Sequence, residues 1–262
     1  MGLPRPTRGL GWPSTMKILG IDIGGSAFKG APVDTNTGKL LAERHRVEIS
    51  SPCSTAEGLA AARQIAQHFN WKGPVGLGFP GIIVGDKIGP VGNLGANWVN
   101  KNGAVLFRRA TGCKVKLYND ADAAGLAEMK FGAGRGNQGS VLMLTFGTGI
   151  GSALFYRGQL FPNAEMGWVP WRGKPFERFA SAAVRKRSNL SWQEWSVRVN
   201  TYLAVMERIL SPDLIIIGGG VSKNSGEFFK YLKARARVVP AKMHNEAGIV
   251  GAALAWEQTN KH

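Results

Sequence analysis

Two stretches decide the fold: Ile18-Leu19-Gly20-Ile21-Asp22-Ile23-Gly24-Gly25-Ser26 and Val141-Leu142-Met143-Leu144-Thr145-Phe146-Gly147-Thr148-Gly149. Each is an apolar run of strand length that ends in a turn of small residues. Each leads into a further strand, from Phe28 in the first case and over Ser152 to Tyr156 in the second. A repeat in a chain of 262 residues predicts two lobes of one design. Two unrelated β-turns of similar composition are the alternative.

Outward from these stretches, short apolar strands alternate with helical segments, the α/β pattern. Strands are expected at Lys17–Ile23, Phe28–Asp34, Leu40–Glu48, Val75–Phe79, Val115–Tyr118 and Leu214–Ile217. Helices are expected over Thr55–Phe69 with Thr55 as N-cap, Ala121–Phe131, Phe176–Arg187, Trp192–Leu210 and Ile249–Gln258. Residues 1–15 hold two Arg and three Pro without an apolar core, so they read as a disordered basic tail, with Met16 a candidate start. The lobes are expected at 16–118 and 119–248, with the last helix packing back on the first.

Apolar residues at 44% and charged residues at 19% exclude disorder over the whole length. The 36 glycines are close to twice the usual share of roughly 7%, and without a repeat period they point to tight turns and backbone–ligand contacts. Cys53 and Cys113 are too few for a disulfide framework, which fits a reducing cytoplasm. No apolar run reaches the roughly 18 residues of a membrane span. The net charge of +16 suits a polyanionic partner or simply a basic surface.

Three glycine turns follow buried strands, at Gly24-Gly25-Ser26, Gly147-Thr148-Gly149 and Gly218-Gly219-Gly220. Backbone N–H groups without a Cβ in the way can approach a phosphate, and α/β sheets place ligands at such strand ends. Ser26, Thr145 and Thr148 add hydroxyls and Lys29 a cation. No P-loop and no Rossmann fingerprint is present. Asp120, after Asn119 at a strand end, either accepts a proton from an attacking hydroxyl or caps the helix that follows. Asp122 could cap that helix equally well. Glu165 lies in a loop, and Glu177 opens a helix, where the helix dipole is its plain explanation.

These residues resemble the ROK family of sugar kinases. The likeness rests on Asp22-Ile23-Gly24-Gly25-Ser26 with Lys29, Asn119-Asp120-Ala121-Asp122-Ala123-Ala124 and Thr145-Phe146-Gly147-Thr148-Gly149-Ile150-Gly151. Phe161-Pro162-Asn163-Ala164-Glu165, Gly173-Lys174 with Glu177, and Leu190-Ser191-Trp192-Gln193-Glu194-Trp195 resemble its polyphosphate-dependent glucokinase branch. The resemblance runs from about Met16 to Trp256. It implies an actin-like (ribonuclease H-like) two-lobed α/β fold with the active site between the lobes.

By the same resemblance, Asp120 is the general base and Asn93, Asn119, Glu165, Trp168 and Glu177 stand at sugar-contacting positions. Asp22, Gly24, Gly25, Ser26, Lys29, Thr145, Gly147, Thr148 and Gly149 match the phosphate-gripping loops, and Gly219 and Gly220 face the donor. The implied activity is phosphoryl transfer from polyphosphate or ATP, with Mg²⁺, to the 6-hydroxyl of glucose or mannose. Asp22 is the carboxylate nearest to magnesium's role. No structural zinc, nucleic acid or membrane is expected, and a cytoplasmic homodimer is. Repressors of the family carry a DNA-binding domain before the Asp-Ile-Gly-Gly turn, and only 21 residues precede Asp22 here.

One departure stands out: the family pattern Glu-x-Gly-His reads Glu165-Met166-Gly167-Trp168. Indole nitrogen only donates, whereas imidazole also accepts. An ATP-preferring hexokinase of other sugar specificity, or a weakly active sugar- or phosphate-binding protein, is the alternative this leaves. Two basic stretches could track polyphosphate or be solvated faces: Arg172, Lys174, Arg178, Arg185, Lys186 and Arg187, and Lys230, Lys233, Arg235, Arg237 and Lys242.

Overall fold

The computed structural model describes residues 17–91 and 94–258, so the expected tail lies outside the described residues. The chain runs β1 (Lys17–Ile23), β2 (Ala27–Asp34), β3 (Lys39–Leu40), β4 (His45–Glu48), α1 (Thr55–His68), β5 (Val75–Phe79), β6 (Gly81–Val84), β7 (Lys87–Val91), α2 (Gly103–Thr111), β8 (Val115–Asn119) and α3 (Asp120–Phe131). It continues with β9 (Ser140–Phe146), β10 (Ile150–Tyr156), β11 (Gln159–Phe161), β12 (Pro170–Trp171), β13 (Lys174–Pro175), α4 (Glu177–Ala180), α5 (Ala182–Arg187) and α6 (Trp192–Leu210). β14 (Leu214–Gly218), α7 (Ser225–Phe228), β15 (Arg237–Pro240) and α8 (Ala247–Gln258) close it.

Two sheets repeat one layout. The first has the order β3-β2-β1-β5-β8 and the second β11-β10-β9-β14-β15. In each, an antiparallel hairpin (β1–β2, β9–β10) is extended on one side by two parallel strands. β1 and β9, the two repeated stretches, hold the same place. The central parallel strands are covered on both faces, which is why β5 and β14 are buried at every position and read as unbroken apolar runs.

Three apolar clusters hold the layers. Leu19, Ile21, Phe28, Ile65, Leu77, Phe79, Trp98 and Phe107 pack α1 and α2 on the first sheet. Leu142, Leu144, Phe146, Phe176, Trp195, Tyr202 and Ile215 pack α4 and α6 on the second. Between the sheets lie α3 and α8, joined by Ile18, Val33, Leu126, Val141, Phe155, Ile216, Ile249 and Val250. α8 approaches closely because its neighbours lack side chains: a Cβ on Gly76 would stand 1.9 Å from the Ala252 carbonyl oxygen, and one on Gly20 2.0 Å from that of Ile249.

Several local expectations need correction. Leu40–Glu48 is two short strands, both paired to β2, because the solvent-exposed residues 41–44 have nothing to cover. α1 is capped by Ser54, whose hydroxyl accepts from Glu57 N–H, while Thr55 donates to the Asn97 carbonyl. The helix expected over Phe176–Arg187 breaks at Ser181, which ends α4 and caps α5 through Val184 N–H. The hairpin β6–β7, helix α2 and strand β15 were not anticipated, the last lying inside the second basic stretch.

Candidate active site

A cleft of about 460 Å³ opens where the strand ends of the two sheets meet. Gly81, Ile82 and Pro90 of the β6–β7 hairpin form one side. Asn119 and Asp120 form its floor, and the Thr145–Gly151 turn, Glu165, Trp168, Glu177 and Gly219 complete it.

The Asn119–Asp120 pair resolves the capping question. Asn119 Oδ1 accepts from the backbone N–H groups of Ala121 (2.9 Å) and Asp122 (3.0 Å), so Asn119 is the N-cap of α3. Its Nδ2 donates to the Gly81 carbonyl at 3.2 Å and to Glu165 Oε1 at 3.1 Å. Neither Asp120 nor Asp122 is needed as a cap. Asp120 Oδ1 accepts from Ala121 N–H at 2.8 Å, and the residue lines the cleft. Burial, then the charge of Asp22, push the Asp120 carboxyl up to about 7, with Glu165 and Asp122 adding to the rise and the Ala121 N–H opposing it.

Asp22, one residue before the end of β1, stands opposite Lys29 in the hairpin register. Burial raises its pKa and Lys29 opposes the rise. The carboxyl lies against the start of α8, where a Cβ on Gly248 would be 2.6 Å from its Cγ. Gly24 N–H donates to the Ala27 carbonyl at 3.0 Å, closing the turn that carries Gly25 and Ser26. This turn, Asp22, Lys29 and Gly220 are not among the residues that line the cleft, although the charge of Asp22 acts on Asp120. Asn93 lies outside the described residues.

The second sheet positions the remaining carboxylates. Glu177 Oε2 accepts from Ile150 N–H at 3.2 Å, and a Cβ on Gly149 would stand 2.2 Å from that oxygen, so glycine there makes room for it. Ser152, which the sequence did not mark, donates to the Ala164 carbonyl and accepts from Met166 N–H at 2.8 Å, pinning both flanks of Glu165. Burial and Glu177 raise the pKa of Glu165, while the Asn119 amide lowers it. Gly219 sits at φ 79° with its Cα against the Phe146 backbone, a position only glycine fills without strain. Trp168 is 51% exposed on the cleft wall.

Asp120, Glu165 and Glu177 thus face the cleft, and among the described residues no Lys or Arg does. Such a wall accepts hydrogen bonds from a neutral polyol and repels an anion unless a cation accompanies it. Among the described residues no three His, Cys, Asp or Glu are grouped to hold a metal, and Cys53 and Cys113 are free and buried. No helix among them is long and apolar enough to cross a membrane.

Two sheets of this layout around an interlobe cleft are the actin-like α/β fold. Residues 18–170 match the ROK family, and the chain belongs to it. The polyphosphate glucokinase of Mycobacterium tuberculosis is 40% identical over 248 residues, covering 93% of this chain and 92% of that protein. The crystal structure of inorganic polyphosphate/ATP-glucomannokinase from Arthrobacter sp. strain KM superposes with a TM-score of 0.89 at 42% identity, covering 93% of this chain and 99% of that one. A ROK glucokinase from Streptomyces griseus in complex with glucose and AMPPNP shares the fold, at 22% identity and TM-score 0.76 over 92% of this chain and 99% of that one.

Proposed function

We propose that this protein is a hexose 6-kinase that uses polyphosphate, ATP or both, with glucose as acceptor and mannose as the second candidate. The observation that carries this is Asp120, an uncapped carboxylate lifted toward neutrality on the floor of a cleft lined by acceptors. The relatives' names supply the substrate class.

In this reading Glu165 and Glu177 accept sugar hydroxyls and orient the ring. Asn119 has spent both acceptor positions and both donors within the protein, so it serves the sugar by aiming Glu165. Trp168 offers an indole face and one donor. The sugar 6-oxygen attacks the terminal phosphorus, the bond from phosphorus to the bridging oxygen breaks, and Asp120 takes the hydroxyl proton. Shortened polyphosphate or ADP leaves. Gly24 and Gly147 use their own N–H groups to close their turns, the latter on the Gly149 carbonyl at 3.0 Å, so in this reading the phosphate contacts fall to the residues that follow them.

A carboxylate-lined cleft that no Lys or Arg among the described residues enters, with half-buried Asp22 close enough to Asp120 for its charge to act there, fits a hard cation with oxygen ligands. Asp22 would hold Mg²⁺ through water beside the phosphate oxygens, and the ion would neutralise charge on the transferred group. Residues 17–118 with α8 form one lobe in this reading and 119–248 the other, in a cytoplasmic homodimer. Glucose assayed with polyphosphate and, separately, with ATP tests the proposal. Glucose 6-phosphate from either donor supports it, and product from neither with any hexose refutes it.

A further inference from the structure

Asn163 belongs to the loop that presents Glu165, and its side chain binds one residue of β6, next to Ile82 of the cleft wall. Its Oδ1 accepts from Ile83 N–H at 2.9 Å and its Nδ2 donates to the Ile83 carbonyl at 2.9 Å. Its backbone is left-handed, at φ 57°. Behind it stands Asp122, 1% exposed, whose Oδ2 accepts from Asn163 N–H at 2.7 Å and whose Oδ1 has no partner. Burial pushes that carboxyl up to about 7, with the Asn163 N–H opposing the rise. A buried acid costs stability that an apolar residue of similar size would not, so its presence calls for a task beyond filling space. Asn119 holds the Gly81 carbonyl at the head of the same strand. β6 is therefore gripped at three backbone atoms by two asparagines, and it carries Gly81 and Ile82 into the cleft wall.

We propose that Asn163, held by Asp122, is a latch that ties the β6–β7 hairpin to the Glu165 loop and so sets the width of the sugar side of the cleft. The proposal rests on the hexose-kinase reading for what enters the cleft. Both residues are positioning residues, since the contacts run through Ile83 and the Glu165 loop. The donor side, at the Gly147–Gly149 turn, is not held by this latch, so its loss separates the two substrates.

Asn163→Gly is the direct test, because glycine keeps the left-handed backbone and the N–H for Asp122 while removing the grip on Ile83. The sugar KM should rise about tenfold, the loss expected for a pair of hydrogen bonds worth about 1.4 kcal/mol in the closed cleft. The donor KM should stay within about twofold, and amide exchange at Ile83 should accelerate without substrate present. Asp122→Leu should reproduce this pattern, and Asp122→Asn, which keeps an acceptor, should rescue most of it. An unchanged sugar KM with unchanged exchange at Ile83 overturns the latch, as does an equal rise in both KM values. Exchange is read without turnover, so a protein that phosphorylates no hexose would fail the functional reading and still decide the latch.

Discussion

Asn119 binds Glu165, 46 residues further along the chain: the amide that caps α3 with its oxygen donates from its nitrogen to Glu165 Oε1 at 3.1 Å. One side chain therefore fixes both the helix that begins with Asp120 and the carboxylate that faces it. Asn119→Asp keeps the two capping acceptors but sets a carboxylate against Glu165. A lost hydrogen bond to a charged group is worth about 1.5–3 kcal/mol, so the sugar KM should rise at least about tenfold. Steady-state kinetics with both substrates varied check this, and a donor KM that rises as much would show general damage instead.

Asp120 must be ionised to accept a proton, so kcat should fall about tenfold per pH unit below about 7 and level off above it. Stability follows the opposite sign. The folded state holds this proton up to about pH 7, whereas the unfolded chain loses it near 3.8. Unfolding free energy contributed by this group therefore falls as pH rises through that window. Asp120→Asn should raise Tm by at least about 4 °C at pH 8 and by little at pH 4. Melting curves at both pH values would contradict the burial of this acid if the gain were the same.

The fold was legible because β1 and β9 are the same strand written twice, each with its turn and its hairpin partner. The site was legible where chemistry sits in one short stretch, as at Asn119-Asp120 and Thr145–Gly149. It was not legible where the partners are far apart in the chain. Asp122 meets Asn163 41 residues on, and Asn163 meets Ile83 80 residues back. The Ser152 contact with Ala164 depends on how the loop after β11 folds back on β10. Phe28, in the strand after the first glycine turn, is absorbed by the core, where Gly58 leaves room for its ring and that of Trp98.

Trp168→His restores an acceptor beside Glu165. The ratio of kcat/KM between glucose and mannose should change by at least about threefold, since one buried polar group left unpaired costs about 1–3 kcal/mol. An unchanged ratio would place residue 168 away from the sugar.

Donor choice should follow the free cations of the surface. Arg185 is not one of them: its guanidinium lies 3.6 Å from the centre of the Trp192 ring and donates to the Leu190 carbonyl at 2.8 Å. Lys186 and Arg187 beside it are exposed, as are Lys233 and Lys230, the last with its ammonium 5.2 Å from the centre of the Tyr231 ring. Replacing Lys186 and Arg187 with Gln, and separately Lys230 and Lys233, should raise the KM for long polyphosphate in at least one case and flatten its dependence on salt. The KM for ATP should hold. Equal effects on both donors would point to a shared phosphate site, and no effect on either would leave the +16 charge without a role in donor binding.

The most direct test of the central claim is Asp120→Asn, assayed for turnover and for sugar binding on the same folded protein. The amide keeps the shape and the bond from Ala121 N–H but cannot take the proton. As general base, Asp120 should account for a fall in kcat on the order of 10²–10⁴, with sugar Kd within several-fold of wild type. A variant that keeps more than about a tenth of wild-type kcat would contradict that role.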